Sequence, residues 1–350
     1  MDGFFYWPNL NLSNKFWEKK MKNLLKKITS LALGAILLAS CGAKSNEEAK
    51  TDAKSEGKLT IGIVQIADHP SLDAAREGFI EKLDEAGLDY ELVDHRANGD
   101  LALIPQFASD LKNKKADLIY TIGTPAAQGV ANAITDLPIL FSAVTDPIGA
   151  GLVDENTKVG ANITGVSDYV EPGKLIDDFL KLYPETKTFG TIYNTNEQNS
   201  VVQIEALEKA LDERGLKLEK QGVSTINDIP QAISSLKSKI DAMFTVTDNV
   251  VVNAMPVLSE NLNKDKIPSI ACDEGSVENG ALISEGVNYK DCGKKVGEMA
   301  VAILKDGKAI KDIPYQDADS LKTLVNKKTA EILGLDLNNE VLKDAEYIEK

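Results

Sequence analysis

The sequence predicts an α/β fold of two similar, doubly wound parallel-sheet lobes with a ligand cleft between them. Short apolar runs alternate with stretches whose apolar residues recur every three to four positions. That alternation marks buried parallel strands joined by crossover helices. The whole pattern occurs twice. Turn glycines recur in step, Gly62 with Gly190 and Gly87-Leu88 with Gly215-Leu216, each pair 128 residues apart.

The elements follow in order. Residues 59–64 (LTIGIV) form a strand, and Leu72, Ala75, Phe79, Leu83 and Ala86 lie at helical spacing up to Gly87. A strand over 90–93, a helix over 104–111, a strand over 116–122, a helix over 124–133 and a strand over 138–142 complete the first round. The second round has a strand at 189–193, a helix at 202–211 and a turn and strand at 215–219. Residues 116–122 then match 240–246, and 138–142 match 268–272.

Composition narrows the function. The 350 residues are 43% hydrophobic and carry 39 basic against 54 acidic side chains, a net charge of −15. Such a chain folds, and without a basic block it is a poor nucleic-acid binder. Three Cys and two His exclude a disulfide framework and leave no zinc spacing, so neither metal nor cofactor is expected.

The charge is uneven. Residues 1–40 carry six Lys against Asp2 and Glu18, and an apolar run over 28–39 follows. Basic, apolar and small-residue regions in that order make a secretory signal, too short to span a membrane as a mature helix. Met21-Lys22-Asn23 reads as its natural start, which makes residues 1–20 an upstream extension holding both Trp, Trp7 and Trp17. Leu38-Ala39-Ser40-Cys41 resembles the bacterial lipoprotein box. The resemblance implies a diacylglycerol on the Cys41 thiol, cleavage before it, and a lipid-anchored protein on the extracytoplasmic face of the cell membrane. Residues 41–58 are small, polar and charged, a flexible tether between anchor and core. The folded part is expected over 59–337, with 338–350 a charged tail.

In doubly wound sheets ligands bind beyond the carboxyl ends of strands where strand order reverses. Those ends carry Gln65, Asp68, His69 and Ser71, then Gly123-Thr124-Pro125, then Ser142, Thr145 and Asp146. In the second lobe they carry Asn194, Glu197, Asn199 and Ser200, then Thr247, Asp248 and Asn249, then Asp273, Glu274 and Ser276. None is Arg or Lys, which argues against a phosphate ligand and suits a small molecule with a cationic group. Thr124-Pro125 reads as a helix start that leaves the Ala126 and Ala127 amides free for a carboxylate; simple capping by Thr124 is the competing reading. Asp248 is the expected partner of a ligand ammonium, supported by Thr247, Asn194 and Asn199, with Asp273 and Glu274 next in line. His69 beside Pro70 reads by default as a solvated loop residue. Asp248 with Asp273 could also serve as an acid/base pair, although no nucleophile motif accompanies them. Cys272 and Cys292 could pair or remain free thiols.

The lipoprotein box, the tether and the paired lobes together resemble bacterial ABC-transporter substrate-binding lipoproteins of the type I periplasmic-binding-protein fold. QIADHPSLDAAREGF at 65–79, GTPAAQ at 123–128, FSAVTDPIGAGLV at 141–153, NITGVSD at 162–168, TDN at 247–249 and GVNY at 286–289 resemble the tryptophan/tyrosine-type subfamily. The resemblance implies a three-segment hinge, with lobe one over 59–165 plus 288–313 and lobe two over 166–287 plus 314–337. It implies a non-enzymatic receptor that captures an aromatic L-amino acid by interlobe closure and delivers it to an ABC permease and, through it, a cytoplasmic ATPase. Phe141 and Tyr193 are the candidates to enclose the ring. The competing readings are a receptor for branched aliphatic amino acids, a ligand-sensing lipoprotein, and an enzyme acting on a small substrate.

Overall fold

The computed structural model describes residues 58–319 and 321–349. The signal, Cys41 and the tether up to residue 57 lie outside the described residues. Lobe one is built from β1 (Leu59–Gln65), α1 (Pro70–Glu85), β2 (Tyr90–Arg96), α2 (Ile104–Asn113), β3 (Leu118–Ile122), α3 (Thr124–Ala133), β4 (Ile139–Val144) and β5 (Ile163–Ser167). Lobe two follows with α4 (Pro172–Leu182), β6 (Thr188–Asn194), α5 (Gln198–Asp212), β7 (Lys217–Val223), α6 (Ile229–Leu236), β8 (Ala242–Thr245), α7 (Asn249–Asn253), α8 (Met255–Lys264), β9 (Ser269–Asp273), α9 (Glu274–Glu278) and β10 (Ile283–Val287). The chain closes with α10 (Tyr289–Leu304), β11 (Gln316–Asp317), β12 (Leu321–Asn326), α11 (Lys327–Leu333) and β13 (Glu346–Ile348).

The two sheets repeat one topology. Their orders are β11-β5-β4-β3-β1-β2 and β13-β12-β10-β9-β8-β6-β7. All strand pairs are parallel except β10 with β12. Strand order reverses between β1 and β3 in one lobe and between β6 and β8 in the other, the positions where such sheets bind ligands. The matched glycines have matched causes. A Cβ on Gly62 would lie 2.6 Å from Leu111 Cδ2, and one on Gly190 would lie 2.7 Å from Ile240 Cδ1. Each strand is thus bare where an aliphatic side chain presses on it. Gly87 and Gly215 turn the chain out of α1 and α5 with φ of 67° and 68°.

Among the described residues the chain passes between sheets over 168–171, at 288 and after Asp317. Two expected boundaries shift. Lobe one extends to Ser167 because β5 pairs with β4, and to Asp317 because Gln316 and Asp317 pair with Val166 and Ser167. The expected charged tail is instead part of the second sheet. Glu346, Tyr347 and Ile348 pair with β12, Leu342 is buried, and Tyr347 Oη donates to Leu342 O at 3.1 Å. Tyr347 and Ile348, both half-buried, are the apolar residues of that strand.

Helix α10 returns from lobe two to pack on α1. A Cβ on Gly78 would stand 2.0 Å from Lys290 O, and one on Gly293 would stand 1.9 Å from Ala75 O. The two backbones touch because both positions lack a side chain. This contact fixes Tyr289, in the first turn of α10, against lobe one.

Candidate functional site

The strand ends of the two lobes meet face to face. Ser71 Oγ, in the first turn of α1, donates to Asp273 Oδ1 at 2.8 Å and accepts from Gly275 N at 3.0 Å. Gln203 Nε2 of α5 donates to Thr145 Oγ1 at 3.3 Å and to Thr247 Oγ1 at 2.6 Å. These contacts close over a small cavity between the lobes. Lobe one supplies His69, Leu72 and Ala143 to its wall, and Asp168 and Tyr289 enter beside two of the interlobe passages. Lobe two supplies Asn199, Thr247, Asn249, Val252 and Asp273. Ala143 reaches the wall through a bulge in β4, where its φ of 54° falls in the left-handed region. Strain of this kind, held by surrounding structure, is a recurrent feature of ligand sites.

Two buried carboxylates face this space, and among the described residues no Lys or Arg lines it. An ionised carboxylate offers about four acceptor positions. Asp168 uses two of them, for Thr145 Oγ1 at 3.0 Å and Tyr289 Oη at 2.7 Å. Asp273 uses three, for Ser71 Oγ, Ser276 N at 2.8 Å and Ser276 Oγ at 2.6 Å. Burial raises the Asp168 pKa, partly offset by the Tyr289 and Thr145 hydroxyls, and the Asp273 charge raises it further. The pair is therefore short of positive charge. Both ring nitrogens of His69 and Asn199 Oδ1 are buried without hydrogen-bond partners. Burial lowers the His69 pKa, against the pull of Asp273, so its ring is a neutral donor and acceptor. Buried polar atoms rarely stay unpaired, so a polar ligand is the natural partner for these.

Residues 60–348 match the family described as ABC transporter substrate binding protein. The chain belongs to that family. It is a substrate-binding protein and not an enzyme. It is 40% identical over 325 residues to a tyrosine-binding protein of Clostridioides difficile, covering 90% of this chain and 93% of that one. A Streptococcus pneumonia ABC domain solved in complex with L-Trp is 33% identical, with a TM-score of 0.79 over 83% of this chain and all of that one. A ligand-free, open substrate-binding protein with adhesive properties from Clostridium difficile is 39% identical, with a TM-score of 0.65 over 83% of this chain and 99% of that one.

Within this family member, His69, Asn199, Thr247 and Asp273 are the sequence-derived site residues that reach the cavity. His69 is 7% exposed, not solvated as its loop position suggests. The others sit behind or beside it. Asp248 does not reach it. Its Oδ1 accepts from Val250 N and Val251 N at 3.0 and 2.9 Å, and its Oδ2 accepts from Asn194 N and from Ser200 Oγ at 2.5 and 2.7 Å. All four positions are filled, so this carboxylate caps α7 and ties it to β6 and α5. Asp248→Ala removes four bonds at a fully buried site, and loss of roughly 2–4 kcal/mol is expected. Thermal melting should register a clear drop in Tm, and an unchanged melt would contradict the capping role.

The carboxylate expectation also changes. Gly123, with φ of 99°, takes the N-cap position, which puts Thr124 inside the first turn of α3. Ala127 N donates to Gly123 O at 3.1 Å and is no longer free. Thr124 Oγ1 is buried without a partner, and Ala126 is buried in the lobe-one core. Phe141 lies under Gly165, and Ser142 Oγ pairs with Tyr120 Oη at 2.5 Å, both in that core. Gln65 donates to Ala67 O and Asp73, and Tyr193 leans toward Gly222 on the β7 side. The aromatic ring on the cavity wall is Tyr289. One strand end does carry a basic residue: Arg96 ends β2, where Asp68 and Asp73 take its charge. Cys272 and Cys292 are buried free thiols.

Glu197, just before α5, lies behind this wall. It is 4% exposed, and burial together with the Asp248 charge raises its pKa to about 7 from 4.5. A carboxyl with a raised folded pKa adds stability that is complete below its unfolded value and lost as pH rises through the folded one. Melting of Glu197→Gln against wild type should therefore show the variant gaining relative stability between pH 5 and 8. A difference independent of pH would contradict the assignment.

Proposed function

We propose that this protein is the ligand-capturing component of an ABC importer and that its ligand is an aromatic L-amino acid. The observation that carries the reading is the convergence of Asp168 and Asp273 on one interlobe cavity that no described Lys or Arg lines. Such a site suits a primary ammonium held by a few fixed polar groups among apolar and aromatic walls. The relatives that bind tyrosine and L-Trp support the aromatic choice. Asp168 and Asp273 pair the ammonium, the neutral His69 ring and the amides of Asn199 and Asn249 complete the polar contacts, and Tyr289, Leu72 and Val252 meet the ring. Enclosure strengthens each polar contact by excluding water.

The passages between the lobes suit hinge closure. The TM-score is higher against the L-Trp complex than against the open relative, although identity is lower. That order supports reading the present arrangement as the closed state. Delivery to a membrane permease driven by a cytoplasmic ATPase follows from family membership, and lipid attachment at Cys41 follows from the Leu-Ala-Ser-Cys box.

Calorimetry with a panel of amino acids tests the ligand. L-Tyrosine and L-tryptophan should give saturable heats and L-leucine none. Tight leucine binding with no heat from any aromatic amino acid would refute the assignment. Localisation has its own test. Cys41→Ala should abolish fatty-acid labelling and cleavage before residue 41; a mature N-terminus elsewhere, with no lipid on Cys41, would overturn the anchor.

A further inference from the structure

Three asparagine amides around the cleft share one buried acidic partner. Glu197 accepts from Asn194 Nδ2 at 3.1 Å, from Asn199 Nδ2 at 3.4 Å, from Asn249 N at 3.4 Å and from Asn249 Nδ2 in a shorter contact. It does not line the cavity that Asn199 and Asn249 line. Each amide turns its NH2 toward a Glu197 oxygen, which leaves its own oxygen facing away. Asn199 is pinned a second time, because its Nδ2 also donates to Thr247 O at 2.9 Å. Its Oδ1 is left buried without a partner. Asn249 Nδ2 has Glu197 as its acceptor, and its Oδ1 points toward lobe one, 3.9 Å from where a Cβ on Gly123 would stand. The arrangement turns both amide oxygens away from Glu197, in residues that line the same cavity as Asp168 and Asp273, with the Asn249 side chain facing His69.

We propose that Glu197 is a positioning residue for ligand selectivity: by fixing the Asn199 and Asn249 amides it makes the cavity select for a ligand that bears a primary ammonium. The inference rests on the amino-acid reading above. Without the Glu197 carboxyl oxygens as acceptors, the Asn249 amide is free to turn. An NH2 group then stands where an ammonium needs an acceptor, and the preference for the amine is lost while contacts to the rest of the ligand remain. A residue needed only for folding would weaken every ligand alike.

The test compares two ligands on the full chain by calorimetry, L-tyrosine and 3-(4-hydroxyphenyl)propionate, the same molecule without its amine. L-Tryptophan and indole-3-propionate form a second pair. Wild type should prefer each amino acid over its amine-free partner. Glu197→Gln should lose about tenfold or more of that preference, the scale of a lost hydrogen bond to a charged group, while binding the amine-free acid as before. Equal losses for both members of a pair, or no loss, would overturn the role, as would a wild type that does not distinguish them. A wild type that binds neither amino acid would overturn the underlying reading instead. Should Glu197→Gln fail to fold, Glu197→Asp, which withdraws the carboxyl from the amides, carries the same comparison: a loss confined to the amino acid supports the role, and a loss shared by both ligands overturns it.

Discussion

Asp168→Asn should cost most of the affinity for an aromatic amino acid while leaving the fold intact. The substitution keeps shape and volume but removes one of two buried negative charges from the cavity. Truncating one partner of a desolvated, hydrogen-bonded charge pair costs about 2–5 kcal/mol, or roughly tens to thousands of fold in Kd. Asp168 is the stronger choice over Asp273 because two of its acceptor positions remain open. It also carries less of the local scaffold, whereas Asp273 caps α9 through Ser276 N. Burial raises its pKa in the ligand-free protein, and an ammonium beside it favours the ionised form. Binding should then expel protons where Asp168 is partly protonated, so affinity falls as pH falls through its raised pKa. Titrations in buffers of differing ionisation enthalpy would detect those protons in wild type and miss them in Asp168→Asn. Near-native affinity in the variant would remove Asp168 from the ligand site.

The lobes were legible because their signals are local. Gly62 and Gly190 mark the same seat in each sheet, and Gly87 and Gly215 mark the same turn. Ligand-facing loops were legible too, since any doubly wound sheet presents its strand ends. Which side chain of a loop points inward was not. Asp248 stands at a strand end and is acidic, yet it faces away, held by two amides of its own helix and by Asn194 and Ser200, which lie far away in sequence. Half of that was readable: Asp before a short helical run is an N-cap pattern. Asp168 was passed over because the expected lobe boundary between 165 and 166 set it at the hinge, although it directly follows β5. Tyr289 lay within the GVNY stretch that carries the family resemblance. Only the contact of α10 with α1 brings it to the cavity. The expected tail hid a strand because three residues cannot display a period.

Gly293→Val should damage stability and binding together. Its Cβ would stand 1.9 Å from Ala75 O and 2.7 Å from Ala75 C, and those neighbours are backbone atoms that cannot rotate aside. Overpacking usually costs about 1–3 kcal/mol, occasionally more. With two helix backbones forced apart, a loss at or above the top of that range is expected. At roughly 2–4 °C per kcal/mol for a chain of this size class, Tm should fall by about 6 °C or more. The same displacement reaches the ligand site. Tyr289 lies one turn before Gly293 on the same face of α10, and its hydroxyl holds Asp168 at 2.7 Å. Moving α10 off α1 withdraws that hydroxyl from a carboxylate already strained by burial. Gly78→Val, on the facing helix and 2.0 Å from Lys290 O, should repeat both effects. Lys294→Ala, the next residue along, removes only a half-exposed ion pair to Glu81 and should cost under about 1 kcal/mol. Melting and tyrosine titration of the three variants would decide the matter. If the valine variants melt and bind like Lys294→Ala, the glycine contact neither sets the helix spacing nor positions Tyr289.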